Sequence, residues 1–173
     1  LEKQKDNDNE TGKIYQIQPD EVNSYKLNDC INNNIIDNNS RYLLLEIEPS
    51  LSTLIYENIR IQNPDRIIYL YEESPFIEDD MNNNEEYKFK IINLIQDAAR
   101  TDCLILLKNL NQIHPFLYNL YSKNYIIKDE KKFVTVYQGK FSEIIPVNDL
   151  FRIIILEDRK FMDAVDVEFL NRF

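Results

Sequence analysis

Polar side chains follow the apolar runs of this sequence at the points where a parallel sheet would place a ligand. Glu48 follows the run "RYLLLEI", Lys108 and Asn109 close the run "CLILLKN", and Glu157 and Asp158 close the run "RIIILED". Ligands of open parallel sheets bind at the carboxyl ends of the strands, so these five residues are the first candidates for chemistry. Carboxylates at such an edge can hold Mg²⁺ and polarise a water, and glycine-rich turns there can hold a phosphate.

The turn after the first run does not have the composition of a phosphate-binding loop. Such a loop needs several glycines, because only glycine lets several backbone N–H groups point at one anion, and it also needs Lys and Ser or Thr. The turn here reads "EPSL" at 48–51, and the only glycines in the chain are Gly12 and Gly139. A carboxylate at Glu48 would repel a phosphate. The turn therefore predicts no phosphate site.

The third run likewise lacks the carboxylates of a hydrolytic site. A strand that holds Mg²⁺ and orients a water ends in acidic residues, whereas this one ends in Lys108 and Asn109. From the residues alone, Glu157 and Asp158 after the fourth run are interpreted as turn residues that begin a helix, where acidic side chains are favoured.

Other residue types that could ligate a metal or act as nucleophiles are few. His114 is the only histidine, and without partners visible in the sequence it predicts neither a metal site nor a Ser/His/Asp relay. The two cysteines, Cys30 and Cys103, cannot build a disulfide framework, and Cys103 lies in an apolar run where a buried thiol is expected. We expect His114 to have a structural or surface position.

Composition and charge restrict the class of protein. The 30 acidic and 20 basic residues give a net charge of −10, which opposes binding to nucleic acid. The hydrophobic fraction of 43% indicates a folded body, and no apolar run approaches the roughly 20 residues of a membrane span. The length of 173 residues fits one domain. We therefore expect a soluble, cytoplasmic domain, and its start at Leu1 indicates a fragment of a longer protein.

Two regions of the chain differ in composition. Residues 1–40 are polar and rich in Asn, Asp and Lys, which predicts a partly disordered lead-in with room for one edge element. Residues 41–173 alternate short apolar runs with helical periodicity, which predicts a mainly parallel, open α/β sheet with flanking helices. The predicted order is strand, helix, strand, helix, strand, helix, hairpin, strand, helix.

The apolar patterns also predict the individual elements. Strands are expected at "YLLLEI", "RIIYLY", "DCLILL" and "FRIIIL", and "KKFVTVYQGKFSEII" is expected to form a hairpin that turns at Gln138-Gly139. Ser50 is expected to cap the first helix. The inward residues of that helix are expected to be Leu51, Leu54, Ile55 and Ile59. An acidic loop then leads to helices over 85–101 and from about 112 to 123.

Four segments together resemble a known family. The stretches "RYLLLEIEPSLSTLIYENI", "DCLILLKNLNQIHPFLYNLYSKNY", "FRIIILED" and "FLNRF" resemble the ATPase-like modules of the mysterin-like giant AAA+ ubiquitin ligases, and they span residues 41–173 in that order. The resemblance implies an AAA+ core of the P-loop NTPase type, with the hairpin at 132–146 as an insertion before the sensor 1 strand. It also implies that the chain ends before the lid subdomain.

The resemblance assigns positions to the polar residues. Lys108 and Asn109 match the Walker B position, and Glu157 and Asp158 follow the strand that carries sensor 1. Arg172 in "FLNRF" matches the arginine-finger region, from which an arginine reaches the nucleotide of a neighbouring module. The phosphate loop and the Walker B carboxylates are missing, so the resemblance implies the fold and a place in a ring without ATP hydrolysis.

We therefore expect a non-hydrolysing AAA+ module that buttresses a ring and offers Arg172 to a neighbour. ATP and Mg²⁺ are expected at other modules of the parent protein and not in this chain, which is not expected to be catalytic. Its expected partners are neighbouring AAA+ modules of the same protein. Two alternatives stay open, namely an active ATPase module whose phosphate loop lies upstream of Leu1, and an unrelated acidic α/β protein-interaction domain.

Overall fold

A computed structural model describes residues 14–16, 24–72, 81–162 and 167–173 of the chain. Its strands are β1 (Ile14–Gln16), β2 (Leu43–Ile47), β3 (Ile67–Glu72), β4 (Cys103–Lys108), β5 (Ile126–Lys128), β6 (Lys131–Gln138), β7 (Phe141–Val147) and β8 (Arg152–Asp158). Its helices are α1 (Ser24–Ile36), α2 (Ser52–Gln62), α3 (Met81–Ala99), α4 (His114–Tyr121), α5 (Arg159–Met162) and α6 (Val167–Leu170).

Five of the strands form one parallel sheet in the order β1-β2-β8-β4-β3, and every neighbouring pair is parallel. All seven residues of β8 are buried, which places this strand at the centre of the molecule. A strand buried on both faces is typically a continuous apolar run, and "IIIL" at 153–156 is such a run. The predicted open α/β sheet is confirmed.

The two faces of the sheet are covered by different elements. On one face, residues of α3, α4, β6 and β7 pack against alternate residues of β4 and β8, among them Ile105 and Ile155. On the other face, α1 and α2 pack against the intervening residues, among them Leu104 and Ile154. The sheet is therefore the middle layer of three, as expected when helices cover both faces of parallel strands.

The predicted hairpin is part of a second, antiparallel sheet of three strands in the order β5-β6-β7. The chain turns at Gly139, whose φ of +60° lies in the left-handed region that glycine adopts without strain. Strand β5 was not predicted, because three exposed residues give no burial pattern to read. Val134, Val136 and Ile145 of this sheet are fully buried against the main core.

The predicted helix cap at Ser50 is wrong. A 3₁₀ turn, Pro49–Leu51, precedes α2, and no side chain caps α2 at its first residue, Ser52. The hydroxyl of Ser52 donates to the carbonyl of Pro49 at 3.1 Å. Leu54 was predicted to face inward, and this prediction is wrong, since its side chain is 59% exposed. The acidic loop predicted before α3 lies partly outside the described residues, since 73–80 are among those the structure does not describe.

Helix α1 lies in the polar lead-in and was not predicted. Its Ile31 and Ile35 pack on the same face of the sheet as α2. The buried guanidinium of Arg152 donates to the carbonyls of Ile35 and Asp37 at 3.3 and 2.8 Å, just where α1 ends. Cations at the carboxyl end of a helix bond to its last carbonyls and oppose its dipole. The domain boundary placed at residue 40 stays a prediction.

A second cation holds the chain that follows α1. The ammonium group of Lys123 donates to the carbonyls of Asn38, at 3.0 Å, and Ser40. Burial, followed by the charge of Arg152, lowers the pKa of Lys123 to about 8. Since that value is still above 7, the group remains mostly charged at neutral pH and bonds as an ammonium.

The substitution Arg152→Met should destabilise the chain by about 3 kcal/mol, because hydrogen bonds to a charged group are lost and buried carbonyls are left without a donor. Urea unfolding measures the loss. Relative to the wild type, the variant should show a larger increase of amide hydrogen exchange in α1 than in α3. The control is Arg60→Met, since Arg60 is 61% exposed in its pair with Glu57 and should change stability by less than about 0.5 kcal/mol. A loss of less than about 1 kcal/mol in the free energy of unfolding for Arg152→Met would contradict the view that Arg152 holds the end of α1 in place.

Candidate functional site

The carboxyl ends of β4 and β8 place four of the predicted site residues at one edge of the sheet. Lys108 is the last residue of β4 and pairs in register with Leu156 of β8. Glu157 and Asp158 are the last two residues of β8, and α5 begins directly after them. Because neighbouring parallel strands end on the same side, Asn109, Glu157 and Asp158 come close together.

Asn109 and Asp158 bind each other through two hydrogen bonds. The amide Nδ2 of Asn109 donates to Oδ2 of Asp158 at 3.0 Å, and the backbone N–H of Asp158 donates to Oδ1 of Asn109 at 3.0 Å. The backbone N–H of Asn109 also donates to the carbonyl of Leu156 at 3.1 Å. Asn109 has a φ of +53°, a conformation that Asn tolerates better than most residues. Asn109 therefore links the end of β4 to the end of β8.

Glu157 is fully buried and bonds to the only histidine. Its Oε1 lies 2.9 Å from Nε2 of His114, and Nδ1 of His114 lies 2.9 Å from the hydroxyl of Tyr121. The exposed fractions of Glu157, His114 and Tyr121 are 0%, 3% and 0%. The surroundings of Glu157 are thus those of the core, and not those of an exposed turn. We call Glu157, His114 and Tyr121 the buried triad.

The ionisation of the buried triad follows from its burial. Burial lowers the pKa of His114 to about 3, so the imidazole is neutral at pH 7. A neutral ring has one donor and one acceptor nitrogen, and a carboxylate only accepts. We therefore assign the proton to Nε2, which donates to Glu157, while the Tyr121 hydroxyl donates to Nδ1. Burial, and then the charge of Glu157, raise the pKa of Tyr121 well above 10, which keeps this hydroxyl protonated.

The turn after β2 presents few free amides at the place where a phosphate loop would lie. Pro49 has no N–H group, and the N–H of Leu51 donates to the carbonyl of Glu48 at 2.9 Å. The side chain of Glu48 is exposed on this turn. A phosphate would meet a carboxylate and at most one available amide within 49–51, so this geometry agrees with the composition of the turn.

Lys108 and Arg172 lie apart from the paired residues. The ammonium of Lys108 is 3.4 Å from Oε2 of Glu72, at the end of the neighbouring strand β3. The guanidinium of Arg172 packs on α4, where Nη1 donates to Oγ of Ser122 at 3.0 Å and the guanidinium carbon lies 4.8 Å from the ring centroid of Tyr118. The structure thus brings Asn109, Glu157 and Asp158 together. It places Arg172 elsewhere, in the turn that follows α6.

Sequence analysis missed the partners of His114. The signal available was weak: one histidine lies at a helix start after β4, and one glutamate lies at the end of the run that becomes β8. Only the adjacency of β4 and β8 in the sheet brings the two side chains together. In the part of the chain that the structure describes, no three His, Cys, Asp or Glu side chains are grouped closely enough to hold a metal ion. No helix among the described residues is long and apolar enough to span a membrane.

The burial of His114 predicts a specific dependence of stability on pH. The unfolded chain binds a proton at His114 near pH 6.5 and the folded chain only near pH 3, so the free energy of unfolding falls as the pH drops between these values. Between pH 7 and 5 this should cost the wild type about 2 kcal/mol more than the variant His114→Gln, which has no titrating ring. Urea unfolding at the two pH values measures the difference, and equal losses in both proteins would contradict a buried neutral imidazole.

A comparison with protein families identifies the fold. A family model described as "RNF213 AAA domain" matches residues 32–173, which include strands β2 to β8 and the residues that follow them. A search of curated proteins gave no match. The match excludes the alternative of an acidic domain unrelated to ATPases. With a parallel sheet flanked by helices and an antiparallel hairpin sheet inserted before β8, the chain belongs to the RNF213 AAA domain family of mysterin-like AAA+ modules.

Proposed function

We propose that this chain is a non-hydrolysing AAA+ module that acts as a structural and interaction element in a ring-like ATPase. Its partners are the neighbouring AAA+ modules of the same cytoplasmic protein. ATP and Mg²⁺ bind at other modules, and the ubiquitin-ligase activity implied by the resemblance belongs to other parts of the parent protein. This module transmits or buttresses movement that those modules generate.

The observation that supports this proposal most directly is the internal pairing at the carboxyl edge of the sheet. Asn109 and Asp158 are hydrogen-bonded to each other, and Glu157 bonds to His114 in the core. A hydrolytic site needs the same groups to face Mg²⁺ and an attacking water. The turn at 48–51 adds to the argument, because it offers a carboxylate and almost no amide to a phosphate.

The alternative of an active module with its phosphate loop upstream requires that β2 is not the strand before that loop. Strand β2 lies directly beside β8 and inside the sheet. Phosphate-binding turns follow a strand and open a helix, and the β2–α2 connection has this arrangement without the glycines. No specific feature of the described residues favours the alternative.

Thermal unfolding with and without millimolar Mg-ATP tests the absence of a nucleotide site. A site filled at 100 times its Kd would add about 2.7 kcal/mol of stability, or roughly 5–10 °C in Tm for a chain of this size. We expect no shift with Mg-ATP or Mg-ADP. An AAA+ module with an intact phosphate loop is the positive control. A clear, saturable shift would show that the turn at 48–51 or another part of the chain binds nucleotide.

We also propose that Arg172 contacts the nucleotide of a neighbouring module. In the intact protein, Arg172→Ala should lower ATP hydrolysis at that neighbouring site by about 10³-fold, the lower end for an arginine finger. Arg172→Lys should lower it similarly, because an ammonium cannot replace the planar guanidinium fork. The exposed Arg60→Ala is the control and should leave hydrolysis unchanged. Unchanged hydrolysis in Arg172→Ala would remove this role.

A further inference from the structure

Aromatic side chains anchor residues 167–173, which we call the terminal segment, to helix α4. Phe169 and Phe173 are each only 2% exposed. Their rings lie 5.0 Å apart, and both contact Tyr121, with centroid distances of 6.2 Å for Phe169 and 5.4 Å for Phe173. Edge and tilted contacts at these distances are favourable for aromatic pairs. The terminal segment is therefore seated in the core by its two phenylalanines.

His114 lies between the terminal segment and the end of β8. Its ring stacks on Phe169, with centroids 4.5 Å apart and an angle of 29° between the planes. The plane of the ring is fixed by bonds from both nitrogens, one to Glu157 and one to Tyr121. His114 is thus bonded to the carboxyl end of β8 through one nitrogen, and its ring packs against the terminal segment.

Phe169 contributes to the position of Arg172, whose guanidinium also packs directly on α4. The backbone N–H of Arg172 donates to the carbonyl of Phe169 at 3.0 Å, and the side-chain Nε donates to the carbonyl of Glu168 at 3.2 Å. These two bonds join Arg172 to the turn that contains Phe169. Arg41 supports the segment from outside, since its Nη1 donates to the carbonyl of Asn171 at 3.0 Å.

We propose that His114 is a positioning residue: its ring, stacked on Phe169, fixes the terminal segment and with it the place from which Arg172 points. The purpose of this positioning, contact with a neighbour's nucleotide, rests on the proposed function, whereas the positioning itself does not.

Two substitutions at His114 separate the ring from its hydrogen bonds. His114→Gln keeps a donor for Glu157 and removes the ring. His114→Phe keeps the ring and removes the donor, and it is made together with Glu157→Gln so that no buried carboxylate loses its partner. Ile92→Ala on α3 is the control for general destabilisation, because Ile92 is fully buried in the same core and lies on another helix.

Hydrogen exchange of the amides of 171–173 is the measurement. We expect His114→Gln to raise their exchange roughly threefold to tenfold relative to the amides of β4, the range that corresponds to one lost aromatic pair. The Phe/Gln double variant and Ile92→Ala should leave that ratio unchanged. An unchanged ratio in His114→Gln would overturn the proposal. A double variant that loosens the segment as much as His114→Gln would also overturn it, because the ring would then not be the cause.

ATP hydrolysis by the intact protein links the positioning to Arg172. If Arg172→Ala slows hydrolysis, His114→Gln should slow it too, and the two together should be no slower than Arg172→Ala alone. Effects that multiply would show that His114 acts by another route and would overturn the link. If Arg172→Ala has no effect on hydrolysis, the proposed role of the arginine fails, and the exchange measurement alone decides whether His114 positions the segment.

Discussion

The burial of the Glu157 carboxylate in the central strand is the interaction on which the rest of the structure depends. A carboxylate without a partner costs several kcal/mol in a protein interior, so strand β8 needs a donor from a neighbouring element. His114 supplies it at 2.9 Å, which requires α4 to begin beside the end of β8. The second nitrogen of the ring bonds to Tyr121, about two helical turns further along α4. The face of the ring is covered by Phe169.

Hydrogen bonds between neighbouring residues also occupy polar groups at the carboxyl edge of the sheet. In an open α/β sheet the carboxyl ends of the strands present unpaired groups to a ligand. Here Nδ2 and Oδ1 of Asn109 both bond to Asp158, and the N–H of Leu51 donates to the carbonyl of Glu48. Polar groups that bond to one another in this way help to stiffen a core. The AAA+ architecture is kept while polar groups at its edge form internal bonds, which is consistent with the structural role proposed above.

The sequence was sufficient for four strands of the parallel sheet and for the hairpin, and insufficient for helix α1 and for the partners of His114. Strands β2, β3, β4 and β8 follow from apolar runs, and Gly139 marks the hairpin turn, because burial and turn chemistry are local properties. Helix α1 was missed because its Asn-rich composition conceals two core isoleucines, and because it is held by Arg152, over a hundred residues away. The Ser50 cap failed because Ser50 lies inside a 3₁₀ turn, Pro49–Leu51, that precedes α2. The partners of His114 depend on strand order, which periodicity does not encode.

The protonation of His114 is the measurement that tests this account most directly. The chain has one histidine, so ¹⁵N NMR of its imidazole gives a single pair of ring nitrogens without assignment by mutation. The account predicts a neutral ring, protonated at Nε2, whose shifts stay constant from pH 8 to 5, because burial lowers its pKa to about 3. Titration near pH 6.5 would contradict the account, since it would place the ring in water and leave Glu157 without its buried partner.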